Sequence, residues 1–148
     1  MKLYDPQMHT AEHVLNQVMI RNFGTKRCFT MHLEKKKSKC DFLFDRPLSE
    51  TDEQLIENEV NQVLKQNLPV YDQTVGREEA EKLVTLEKLP EESGDEIRIV
   101  HVGDFDACAC IGNHVSNTRE VGEFRIISTS FEDGALRIRF KLNRPVAN

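Results

Sequence analysis

No apolar run in the 148 residues approaches the roughly 18 that a membrane-spanning helix needs. The N-terminus lacks a secretory pattern, because Asp5-Pro6 interrupts any apolar segment there. An excess of positive charge is missing too. The net balance is −5, which argues against non-specific binding to duplex nucleic acid as the main role. No internal repeat and no low-complexity segment is visible. Without a secretory signal, the four cysteines are expected to be reduced thiols with metal or packing roles. These absences predict a cytoplasmic protein. What remains is ordinary for a globular chain: 39% hydrophobic and 30% charged residues, long enough for one domain, 1–148, with a real core.

The periodicity predicts an α+β fold, with a mostly antiparallel sheet and helices packed against it. Asp5 is placed as an N-cap, Pro6 as the first helical residue and Gly24 as the stop, giving a helix to about Asn22. Ala11, Val14, Leu15 and Val18 share its apolar face, and His9 and His13 point nearly opposite. Those histidines therefore look at solvent or at a site. Cys28 to Leu33 alternates as a strand, with Cys28, Thr30 and His32 on one face, and Glu34 to Lys39 reads as a hairpin loop before a partner strand at Asp41 to Asp45. Ser49 with Asp52 forms a capping box opening a second helix, striped by Leu55, Ile56, Val60, Val63 and Leu64. A short strand at Val70 to Thr74, a short charged helix to about Val84, a polar turn at Pro90 to Asp95 and a strand at Ile97 to Val102 follow. Gly103 to Glu123 shows no clean period, and irregular stretches of that length are usually functional. Asp133-Gly134 is a type I′ hairpin signal between Phe124–Phe131 and a strand with one basic face, Arg137, Arg139 and Lys141.

His9 and His13 are four residues apart on a helix, so their rings lie one turn apart on one side and can share a metal ion. Two ligands do not close a tetrahedral site. The best second pair is Cys110 and His114 in the irregular stretch. Three imidazoles and a thiolate make a plausible zinc shell, placed between an N-terminal helix and a late loop. Cys108 is a rival thiolate, and His32 and His101 are rival imidazoles. A closed shell is structural unless one ligand yields to substrate. A metal-free cysteine hydrolase pairing Cys110 with His114 is a further reading. Asp104, Asp106 and Glu120 are the acids of the loop, unranked as a general base. Lys26, Arg27, Lys35, Lys36, Lys37 and Lys39 cluster near one turn, and their ordinary reading is a solvated face.

His9-Thr10-Ala11-Glu12-His13-Val14-Leu15 resembles the HTAxHLL signature of the alanyl-tRNA synthetase editing domain and its free-standing relatives. Gly103 to Gly122, containing Cys110, His114 and Thr118-Arg119-Glu120-Val121-Gly122, resembles that family's second signature. The order and spacing match across nearly the whole chain, which looks like the short free-standing form. Asn113 stands where that motif usually has threonine, and Arg119 where glycine is common. The resemblance implies zinc ligands at His9, His13, Cys110 and His114. It implies hydrolysis of the ester joining a wrong amino acid, chiefly serine, to alanine tRNA. It also places Thr30 at the position where a threonine hydroxyl helps recognise serine. The alternative expectation is a zinc-stabilised module that binds tRNA or protein without hydrolysis.

Overall fold

The computed structural model describes residues 4–84 and 96–144. Its first helix, α1 (Pro6–Phe23), starts and stops as the sequence predicts. The Asp5 carboxylate accepts the Met8 amide at 3.0 Å, and Gly24 closes the helix in the left-handed region at φ 68°. Then come β1 (Thr30–Leu33), β2 (Ser38–Leu43), α2 (Glu50–Leu64), β3 (Val70–Gly76), α3 (Arg77–Leu83), β4 (Glu96–Val102), β5 (Asp106–Ala109), β6 (Glu123–Glu132) and β7 (Ala135–Asn143). Ser49 and Asp52 make both bonds of the predicted capping box. No described helix is long and apolar enough to cross a membrane. The polar turn expected at 90–95 lies outside the described residues.

The α+β class holds, and every strand pair is antiparallel. The strands form two sheets: a four-stranded one in the order β1-β2-β7-β6, and a three-stranded one in the order β3-β4-β5. One apolar cluster joins Val14, Leu15 and Val18 of α1, Ile56 and Val60 of α2, Phe42, Ile138 and Phe140 of the larger sheet, and Val100 and Val102 of the smaller. Burying such side chains stabilises by about 1.5–3 kcal/mol each. The opposite face of β4 packs Ile97 and Ile99 against Ala80 of α3. At the edge strand β6, Asn61 of α2 pairs with both the amide and the carbonyl of Phe124, and Glu57 takes the Ile126 amide. These bonds cover groups that an open edge would leave unpaired.

Three expectations change. β2 starts at Ser38, inside the loop expected at Glu34 to Lys39, and ends at Leu43. The stretch after Gly103 is not structureless: β5 pairs with β4, and Thr118–Glu120 forms a 3-10 turn. The strand face of Cys28, Thr30 and His32 is also incomplete, because β1 begins only at Thr30 and Cys28 turns into the core. The closing hairpin is as expected, with Asp133 and Gly134 at φ 49° and 79°, the two positive values of a type I′ turn.

Candidate metal centre and its cavity

From Met8 to Asn16 every residue of α1 is buried, so His9 and His13 face neither solvent nor the main apolar cluster; both are 1% exposed. Opposite them lies the loop after β5. Their ligand-type atoms and those of Cys110 and His114 all lie within 4.8 Å of one another, a group that could hold a metal ion. Cys110 Sγ is 3.3 Å from His9 Nε2 and 3.5 Å from His114 Nε2. The His9 and His114 rings stack at 4.1 Å, and His13 meets His114 edge-on at 4.5 Å.

Each imidazole is fixed by an outer partner on Nδ1. His9 Nδ1 is 3.0 Å from the Asn113 carbonyl and His13 Nδ1 is 3.3 Å from Asp106 Oδ2. Both partners accept only, so each Nδ1 carries the proton. His114 Nδ1 is 3.3 Å from Thr10 Oγ1, and that hydroxyl donates to the Pro6 carbonyl, so His114 donates as well. In the neutral rings this leaves the three Nε2 lone pairs for a cation, which would displace the second proton of His13, as metal-binding histidines require. Gly112 brings the loop onto the cluster. A Cβ there would lie 2.2 Å from His9 Cε1, so only glycine allows this approach. Arg98 clamps the same loop through the carbonyls of Cys110 and Gly112. The residues present therefore fit a metal by donor chemistry, tautomer and packing.

Burial, and then the charge of His13, lower His9 to about 3. Burial, with His13 and His9 beside it, also pushes His114 far below the usual imidazole range. Burial opposes charge on His13, but Glu12 and the hydrogen bond to Asp106 outweigh it and raise its pKa. Burial alone would raise the Asp106 carboxyl; the His13 hydrogen bond and the Arg27 charge hold it below the usual carboxylate range.

Other candidates separate clearly. Cys108 lies outside the four-residue group. His32 is exposed and pairs with Glu34, while His101 stacks on Tyr71 and meets Gln73 at 2.6 Å. Glu120 caps Ser116 in its own turn, and Asp104 is exposed. Asp106 is held by His13, Gln17 and Arg27. Arg27, expected on a solvated face, is thus turned inward. Asn113 serves through its backbone carbonyl, and its side chain accepts the Tyr4 amide; Arg119 sits in the 3-10 turn without a positive φ. Neither departure disturbs the cluster.

A cavity of about 300 Å³ opens beside the cluster, lined by His9, His13 and Cys110 together with Glu12, Phe29 and Thr30. Glu12 went unranked in the sequence, since it fills the variable position of the first signature. It is 6% exposed, with Oε1 4.0 Å from His9 Nε2 and Oε2 held by Asn16 at 2.7 Å. Thr30 donates to Asp41 Oδ2 at 2.8 Å, and Arg137 grips the same carboxylate at 2.7 and 2.9 Å.

Residues 97–139 match the family model described as threonyl and alanyl tRNA synthetase second additional domain. The chain is 36% identical over 146 residues to the alanine–tRNA ligase of Aeropyrum pernix, covering 94% of this chain and 16% of the ligase. The corresponding ligase of Pseudothermotoga lettingae is 32% identical over 140 residues, covering 93% and 16%. That of Coxiella burnetii is 34% identical over 123 residues, covering 82% and 14%. The chain thus spans about one sixth of the length of these curated relatives.

Proposed function

Because the chain belongs to the family of the threonyl and alanyl tRNA synthetase second additional domain, we propose that it is an editing hydrolase of the cytoplasm. Its substrate is alanine tRNA wrongly charged with serine, and it cleaves the aminoacyl ester at the acceptor end. The observation that carries this reading is the cavity, whose lining brings together three members of the His/Cys cluster, Thr30 and the Glu12 carboxylate that Asn16 holds. His9, His13, Cys110 and His114 would hold the ion, and three imidazoles with a thiolate suit zinc. A bound zinc supplies Lewis-acid polarisation of the aminoacyl group.

The chain's own residues do the rest. Thr30 directs its hydroxyl hydrogen at Asp41, so its oxygen accepts a hydrogen bond from the serine hydroxyl. A site that hydrogen-bonds a hydroxyl discriminates well against the ester lacking it, whereas an apolar pocket for alanine rejects serine poorly. Glu12 takes a proton from the attacking water. The new C–O bond forms at the ester carbonyl, the bond to the ribose oxygen breaks, and Glu12 passes its proton to that oxygen, which leaves as a hydroxyl. Free serine and uncharged tRNA result.

Four donors are also enough to close a tetrahedral shell around an ion, which favours a second reading: a zinc-stabilised module that binds tRNA or protein without turnover. Deacylation of seryl-tRNA(Ala), with chelator and after zinc is restored, separates the two. The hydrolase loses and regains turnover. A module shows no turnover in any state and loses its fold with the metal.

A further inference from the structure

We propose that the outward face of the four-stranded sheet docks a short A-form RNA stem, whose 3′ strand then turns past Phe29 into the cavity. The docking rests on the hydrolase reading for its direction, and on the sheet for its chemistry. Strand register sets the face. Cys40, Phe42, Ile138 and Phe140 point into the core, so Lys39, Arg139 and Lys141 point out. Lys39 and Arg139 are direct cross-strand partners, a spacing of about 4.5–5.5 Å between Cβ atoms, and Lys141 follows one repeat along, about 7 Å away.

These three charges form no close ion pair among the described residues, although Lys39 acts on Asp41 at longer range. Asp41 neutralises Arg137 through two bonds. Arg139 reaches only the hydroxyls of Ser128 and Ser130, at 3.3 and 3.5 Å, and neither Lys39 nor Lys141 makes an ion pair among the described residues. The chain carries −5 overall, so a polyanion is repelled in general and attracted by this face in particular. Lysine, arginine and serine hydroxyls side by side are the groups that take phosphate oxygens. Continuity with the site fixes the occupant. The next row across the sheet runs from Ser130 through Arg137 and Asp41 to Thr30, and Thr30 lines the cavity. At the same cavity Phe29 and Ile111 remain 43% and 48% exposed: Phe29 offers a ring on which an unpaired base can stack, and Ile111 an apolar surface beside it. An acidic protein would use the charges but has no need of that apolar lip.

The test uses the full chain and a labelled, unacylated RNA hairpin ending in a single-stranded 3′ overhang, with fluorescence anisotropy across a salt series. The triple variant Lys39→Gln, Arg139→Gln, Lys141→Gln should bind roughly tenfold more weakly or worse at low salt. The slope of log affinity against log salt should fall by about 0.7–0.9 for each phosphate that is no longer neutralised. Lys65→Gln with Lys82→Gln, exposed lysines elsewhere, should change neither. Phe29→Ala should weaken the overhang hairpin and leave a blunt one unaffected. Unchanged metal content verifies the fold of each variant. A parental slope in the triple variant, no binding by the parent, or a preference for a polyglutamate peptide would each overturn the docking. Binding through this face without hydrolysis of seryl-tRNA(Ala) supports the docking and sinks the hydrolase; hydrolysis with an unaltered slope does the reverse.

Discussion

Thr30 has a single hydroxyl hydrogen and donates it in a hydrogen bond to Asp41, leaving its oxygen lone pairs for the cavity. Thr30→Val keeps the β-branched shape and deletes that acceptor. It is expected to cost roughly tenfold in kcat/KM on seryl-tRNA(Ala), the centre of the range for one neutral hydrogen bond and its unsatisfied partner. Glycyl- and alanyl-tRNA(Ala) carry no side-chain hydroxyl and should lose less; equal losses on all three esters would mean that Thr30 does not read serine. Glu12→Gln keeps the size of the group and a carbonyl oxygen facing Asn16, and removes the proton acceptor. Turnover should fall by about 10²-fold or more with metal content unchanged, since positioned proton transfer contributes typically 10²–10⁴. Retained turnover would remove Glu12 from the chemistry. The four clustered residues were legible from spacing and signature. Glu12 was not, because nothing in a linear sequence distinguishes a helix residue that faces a cavity from one that faces water, and α1 has no face on water from Met8 to Asn16.

Strands and helices differ in how openly they announce themselves. α1, α2 and the β6–β7 hairpin carry caps, stripes and a turn dipeptide, and they fold where those signals lie. β5 carries none. Ala107-Cys108-Ala109 is small and lacks the β-branched and aromatic residues that mark a strand, so only its pairing with β4 reveals it. Its functional worth lies at its first residue. Asp106 orients His13 while Gln17 and Arg27 orient Asp106. Asp106→Asn should weaken metal binding by about 10–100-fold, the usual effect of losing such an outer partner, measured by competition with a chromophoric chelator; undiminished affinity would show that His13 is oriented by packing alone. A second expectation belongs to the larger sheet. The Arg137 hydrogen bonds hold the Asp41 carboxyl below its ordinary range, against the opposing effect of burial. The fold therefore favours the ionised form, so this contribution is complete above about pH 4 and fades as pH falls through the lowered value. Asp41→Asn should be less stable at neutral pH and should show a shallower loss of stability on acidification, read from urea midpoints. A slope identical to the parent's would assign the acid limb to other carboxylates.

At the scale of the molecule, two sheets and two helices share one apolar cluster, and the metal-type donors sit where α1 meets the smaller sheet. The division into two sheets was hidden in the sequence because strand periodicity reports which side of a strand is buried, not which strand lies beside it. The site inherits a property from its construction. His9 and the Asn113 carbonyl that orients it are 104 positions apart, so the donors meet only after nearly the whole intervening chain has been laid down and folded. Closing a loop of that length is a late event on the route from the unfolded chain. Metal capture should then follow the rate-limiting barrier. Stopped-flow refolding is expected to proceed at nearly the same rate with and without zinc, and unfolding to be slowed by it, the pattern of an interaction absent from the transition state. Faster refolding with zinc would place the cluster in the nucleus. For a growing polypeptide, an ion taken up by this cluster would then arrive last, as a seal on a finished fold.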